Sequence, residues 1–142
     1  MFSRLNQYLE SKRDYGVLFL RLIIAWRLID GTQDNVFSWS RMLEFRDFLE
    51  QHHVGYPLLA ANVSVYAQFV CGILYAIGLF MRPASFVMII NFAVALVVVH
   101  LGTTFQQSFE ALVMFFSAIF FLFFGAGKIS ADSLIYLRVS KR

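Results

Sequence analysis

The sequence predicts an all-α fold, a four-helix transmembrane bundle, on three observations. Hydrophobic residues make up 59% of the chain and charged residues only 15%, against about a quarter charged in soluble domains. Too little polar surface remains to clothe a globule in water. The apolar residues gather in four stretches, each close to the ~20 residues a helix needs to cross ~30 Å of hydrocarbon. The ten-residue segments of alternating polarity that a spanning β-barrel requires are missing. The 142 residues thus read as a single membrane domain in contact with a lipid bilayer.

The four predicted spans cover about residues 15–31, 58–81, 83–101 and 108–127. The first begins after a largely polar stretch of 14 residues, and no small-residue cleavage site follows it, so no cleavable signal is expected. Pro83 marks the boundary between the second and third spans, because the residue before a proline is biased away from helix. The short turn Phe80-Met81-Arg82-Pro83-Ala84 then makes those two spans antiparallel neighbours. Between the first and second spans, "SWSRMLEFRDFLEQ" sets Trp39, Met42, Phe45 and Leu49 among charged residues. This pattern suits a short amphipathic interfacial helix over about 38–51, with Ser38 or Ser40 as its N-cap. It serves either as a lid over the bundle end or as a spacer.

Arg4, Lys12, Arg13, Arg82, Lys128, Arg138, Lys141 and Arg142 share one side of a four-span topology. Only Arg41 and Arg46, with His52 and His53, lie opposite. The positive-inside rule puts both termini in the cytoplasm, and the expected location is a bacterial inner membrane. Topology thus accounts for the net charge of +3, and no nucleic-acid partner is expected.

"FLRLIIAWRLIDG" places Arg21, Arg27 and Asp30 inside the first span. Its nine Leu, Ile, Val and Phe residues between 17 and 29 are worth roughly −4 kcal/mol on an insertion scale, while each central Arg costs ~2.5–3.5 kcal/mol. The span therefore needs neighbours or snorkelling. Arg21, two turns from the cytoplasmic end, has the stem length to lift its charge to the headgroups, which is the favoured reading. Arg27 and Asp30 lie three residues apart on one face, with Asp34 one turn on. They form either a structural ion pair near the outer interface or part of a ligand site.

In the second span Ser64, Gln68, Cys71 and Tyr75 make a single stripe. Interhelical hydrogen bonding explains Ser64 and Cys71; Gln68, near mid-membrane, is the better cavity candidate. His100 ends the third span and Glu110 begins the fourth, either as a first-turn acid favoured by the helix dipole or as part of the site. Arg27, Asp30, Gln68, His100 and Glu110 are thus the candidate ligand-binding residues. The histidines lack metal-ligand spacing, so no metal is expected. The lone Cys71 forms no internal disulfide or redox pair.

Three ordered pieces resemble the DoxX family of small four-helix membrane proteins. They are "LRLIIAWRLIDG", "VGYPLLAANVSVYAQFVCGILYAIGLFMRPAS" with its Gly-x-Pro start and Gly-Leu-x-x-Arg end, and "SFEALVMFFSAIFFLFFGAGKISADSL" with an early Glu and a closing Gly-x-Gly-Lys-x-Ser-x-Asp. Many family members carry an acid where this chain has Gln68, and the amide cannot hold a proton or charge there. The resemblance implies an accessory subunit of a membrane redox system, and with the converging polar groups it gives the expectation of a quinone-like or other small ligand in an outer-leaflet polar pocket. Without haem ligands, a thiol pair or a cluster motif, the chain is not self-sufficient for electron transfer. The alternative is a non-catalytic scaffold for another membrane protein or a second copy, docking through Ala67, Gly72, Ala76 and Gly78.

Overall fold

Seven helices and no strand are found among the described residues, 2–99 and 101–139, of the computed structural model. They are α1 (Phe2–Ser11), α2 (Arg13–Phe37), α3 (Trp39–Gln51), α4 (Pro57–Ile77), α5 (Met81–Val98), α6 (Phe105–Phe124) and α7 (Ala131–Val139). Three of them, α4, α5 and α6, are long and apolar enough to cross a membrane. Helix α2 lies along α4, α5 lies along α6, and α4 joins the two pairs by packing on α5. Their shared core is built from buried side chains such as Leu28, Tyr75, Met88 and Phe121. The outward faces are as apolar as the core: Phe19, Trp26 and Phe123 are each about two-thirds exposed or more. Such surfaces belong in lipid rather than water.

Several element ends differ from the sequence expectation, each for a local reason. Helix α2 continues six residues past Gly31 because nothing there breaks it. The Thr32 hydroxyl donates back to the Leu28 carbonyl at 2.6 Å, a bond that keeps a polar side chain compatible with helix. Only Ser38 separates α2 from α3, and its hydroxyl pairs with that of Ser40 at 2.9 Å, so neither caps α3. Helix α4 starts with Pro57 at its first position, where the missing N–H costs nothing. It stops at Gly78, whose φ of 68° only glycine adopts freely. Pro83 is therefore not a boundary: it sits inside the first turn of α5, where proline is tolerated.

Arg21 does not snorkel. It is 2% exposed, and its guanidinium donates from Nη1 to the Ala126 carbonyl at 2.7 Å and from Nη2 to the Ile129 carbonyl at 3.0 Å. Helices α4 and α6 both end beside it, and helix C-termini carry unpaired carbonyls and partial negative charge that favour a cation. The Gly-Ala-Gly-Lys-Ile-Ser-Ala-Asp segment forms the rest of this knot. Ser130 caps α7 by accepting from the Ser133 N–H at 3.2 Å. Asp132 caps α5 from outside it, accepting from the Phe80 and Met81 N–H groups at 2.8 and 3.0 Å. Asp14 accepts from the Lys128 N–H at 3.0 Å, tying in the start of α2.

The lower part of the polar stripe on α4 is used for packing. Tyr75 donates to Ser85 at 2.8 Å, Ser85 donates to the Met81 carbonyl at 2.7 Å, and the Cys71 thiol lies 3.7 Å from the Ala84 carbonyl. Gly72 faces α2, where an added Cβ would come within 2.8 Å of Ile29, 3.1 Å of Leu28 and 3.3 Å of the Ala25 carbonyl. This close approach gives the small residue an internal partner, so it is not free to receive another protein. Gly72→Leu should push α2 and α4 apart and destabilise the fold by about 2–4 kcal/mol, read as a lowered unfolding midpoint in detergent; an unchanged midpoint would refute the contact.

Candidate functional site: a cavity among α2 to α6

At the opposite end of the bundle from Arg21, the helices do not close on one another. Helix α3 folds back onto α4 and α2, where Met42 and Leu49 pack against Ala61 and Val65. Beneath it lies a cavity of about 660 Å³, bounded by side chains from α2 to α6. This volume is within the range that holds small organic ligands. Phe45, Phe48 and Leu49 of α3 form one end of the wall, so this helix covers the cavity and is more than a spacer.

The walls are predominantly apolar, and one polar row crosses them. On α4, the Gln68 amide donates to the Ser64 hydroxyl at 3.1 Å; Ser64 in turn donates to the Asn91 amide oxygen on α5 at 2.8 Å. All three side chains line the cavity and are half-buried. Ser64 and Gln68 share a face because they are four residues apart, and Asn91 meets them because the Gly78–Phe80 turn sets α5 antiparallel beside α4.

Glu110 stands at the cavity rim on α6 and forms an ion pair with Arg27 of α2. The side chains of Arg27 and Glu110 are 40% and 61% exposed, so the pair is a partly open bridge between two helices that otherwise pack loosely. Gly31 makes room for it: a Cβ there would fall on the Arg27 guanidinium. Because α6 begins at Phe105, Glu110 lies in its second turn, beyond the first-turn reach of the helix dipole. Its partner is a cation, not the helix end.

The candidate residues are therefore distributed unequally. Gln68 and Glu110 line the cavity, and Arg27 reaches its rim through Glu110. Asp30 does not pair with Arg27; it is exposed and accepts from Gln33 at 3.2 Å along its own helix. His100 lies outside the described residues. Asn91 was not anticipated, although a solitary amide in the apolar run "VMIINFAVALVVV" is the signal that marks it. No cluster of three or more metal-ligating side chains occurs among the described residues.

Comparison with known proteins bears on the whole arrangement. A protein of Haemophilus influenzae, described as uncharacterized, is 28% identical over 137 residues, covering 90% of this chain and 96% of that protein. No solved structure matches. The family described as DoxX matches residues 16–101, more than half of the chain, and that stretch holds nearly all of α2 and the whole of α3 to α5, with the Ser64, Gln68 and Asn91 row. The chain belongs to the DoxX family of membrane proteins.

Proposed function

We propose that this protein is a four-span accessory subunit of a membrane redox system that holds a quinone-like or other small ligand in the cavity beneath α3. The fourth span is α2. Its 25 residues reach ~37 Å at 1.5 Å per residue, enough to cross the hydrocarbon, and the cost of Arg21 is lowered by its backbone partners. Arg82 and Lys128 lie at the same end as the start of α2, while Arg41 and Arg46 lie on α3 at the other. This bias supports cytoplasmic termini and a bacterial inner membrane.

The observation that carries the reading is the cavity itself: apolar walls, one row of amide and hydroxyl groups, and an ion pair at the rim. A quinone ring fits this chemistry, since its faces are apolar and its carbonyl oxygens accept hydrogen bonds. Asn91 or Gln68 would donate to a carbonyl, and the Arg27–Glu110 pair would close the side between α2 and α6. The quinone would supply the electron chemistry, because the chain holds no redox pair of its own and Cys71 is buried. The redox role draws its support from family membership.

The test is to purify the protein gently and identify co-purifying small molecules by mass spectrometry, comparing wild type with Glu110→Gln. A quinone in the wild type, depleted at least severalfold in the variant, is the expected result. A well-folded wild type with an empty cavity would overturn ligand binding and leave the scaffold role, with a stoichiometric membrane partner or second copy as the next object of search.

A further inference from the structure

We infer that the cavity is filled sideways from the lipid along the α4–α5 seam, and that Asn91 and Gln68 select a neutral occupant whose head accepts a hydrogen bond from one of these amides. The inference rests on the cavity reading above and adds the route and the rule of selection.

Charge supplies the first argument. The polar side chains that cross the cavity, Ser64, Gln68 and Asn91, carry no charge, and Glu110 at the rim is already neutralised by Arg27. An ionised head drawn between these walls would lose its water and gain no counter-ion, which disfavours it strongly. A neutral head faces no such loss.

The hydrogen-bond row supplies the second. As built, it runs from Gln68 through Ser64 to Asn91 and leaves the Gln68 amide oxygen and the Asn91 amide N–H group without a partner among the described residues. Run in the opposite direction, with both amides turned over, the row leaves the Asn91 oxygen and the Gln68 N–H group. Either way at least one acceptor and one donor remain unused beside the cavity, because each amide carries two N–H bonds and an oxygen with two lone pairs and Ser64 engages only one of these on each. A quinone carbonyl accepts from the free N–H group, and the hydroxyl of its quinol can also donate to the free oxygen, so both neutral forms are held.

The route follows from exposure. Val63 on α4, and Phe86, Ile90 and Val94 on α5, all line the cavity yet are more than half exposed. The cavity is therefore open along this seam, at the depth of the apolar helices, while Phe45, Phe48 and Leu49 of α3 lie across its end. The lining on α5 extends from Phe86 to Val98, ~18 Å along the axis. Asn91 stands near the middle of α5. A ring held at Asn91 leaves space for the first part of an apolar tail, with the remainder in the bilayer.

The experiment uses the purified full chain in lipid nanodiscs and native mass spectrometry with three probes: a decyl-substituted benzoquinone, its quinol, and dodecanoate as an anion of similar length. Wild type should bind both neutral probes and hold dodecanoate at least about tenfold more weakly. Asn91→Leu and Gln68→Leu should each weaken the neutral probes by about tenfold, the effect of one buried hydrogen bond, and narrow the gap to dodecanoate. Comparison of probes within one variant separates selection from general loss of stability. In a Cys71→Ala background, Ile90→Cys should react with a lipid-soluble maleimide, and bound benzoquinone should protect it. If wild type binds none of the probes, the cavity reading fails and this inference with it. If dodecanoate binds as well as the quinone, if both Leu variants bind the quinone like wild type, or if bound quinone leaves Ile90→Cys unprotected, this inference is overturned while the cavity reading stands.

Discussion

Arg21→Leu is expected to lower the thermal unfolding midpoint in detergent by about 5–15 °C, corresponding to about 2–4 kcal/mol. Two effects oppose each other. Leucine removes a buried cation and its own desolvation cost, which taken alone would stabilise. It also strands the Ala126 and Ile129 carbonyls, now bonded at 2.7 and 3.0 Å, and each buried unpaired carbonyl costs about 1–3 kcal/mol. It further withdraws the positive charge from the ends of α4 and α6 and from nearby Asp132, which acts on Arg21 electrostatically. The losses are more numerous, and leucine cannot make good any of them. Arg21→Lys should recover only part of the midpoint, because a single ammonium does not reproduce the fork that reaches both carbonyls. Faster proteolysis between Gly125 and Val139 should accompany the loss. A wild-type midpoint in Arg21→Leu would mean that relief of the desolvation cost cancels the lost carbonyl bonds, so that Arg21 adds no net stability.

Gly78→Ala should cost a comparable amount, about 2–4 kcal/mol, from two sources. A residue with a side chain pays about 1–2 kcal/mol for the left-handed conformation, and here φ is 68°. The new Cβ would also lie 2.5 Å from Arg21 Nη1 and 2.7 Å from Ser130 Cβ. An arginine tip usually moves aside, but this one is held by two carbonyls and has no free direction. Gly78→Asn separates the sources, since asparagine tolerates the left-handed region yet still carries a Cβ. Because Gly78 and Arg21 touch, the two substitutions should not add. The Gly78→Ala, Arg21→Leu double variant should lose less than the sum of the singles by at least about 0.5 kcal/mol. Strict additivity in that cycle would remove the contact from the explanation and leave only the backbone term.

The apolar helices α4, α5 and α6 were legible because their hydropathy has no competing signal. The ends of elements were not. The polar run Thr32-Gln33-Asp34-Asn35 reads as a loop, yet α2 continues through it because it contains no breaker and Thr32 bonds back along the helix. Pro83 reads as the boundary between two spans but stands at the third position of α5, inside the first turn, where proline is tolerated. At the site, Gln68 and Glu110 were legible as polar residues where an apolar one is expected, and the same rule, applied evenly, would have picked out Asn91. Asp30 satisfied that rule too, but it points away from the cavity; three-residue spacing from Arg27 does not specify which neighbour each one meets. Arg21 was the hardest to place, since its partners lie 105 and 108 residues away and are backbone carbonyls, which carry no mark in a sequence.

The capping of α5 by Asp132 gives the order of synthesis a structural meaning. The Phe80 amide lies 52 residues before the carboxylate that accepts from it, so when α5 leaves the ribosome its first turn has no cap. Arg21, made earlier still, also has no carbonyls to hold until Ala126 and Ile129 have been translated. The turn between α4 and α5 is thus made before its cap, and a stretch translated later locks one translated earlier. A nascent chain arrested before Asp132 would carry every apolar helix and yet lack the closure of the bundle end that holds Arg21. Loss of the tail would therefore act on the maturation of the whole bundle rather than on a peripheral helix.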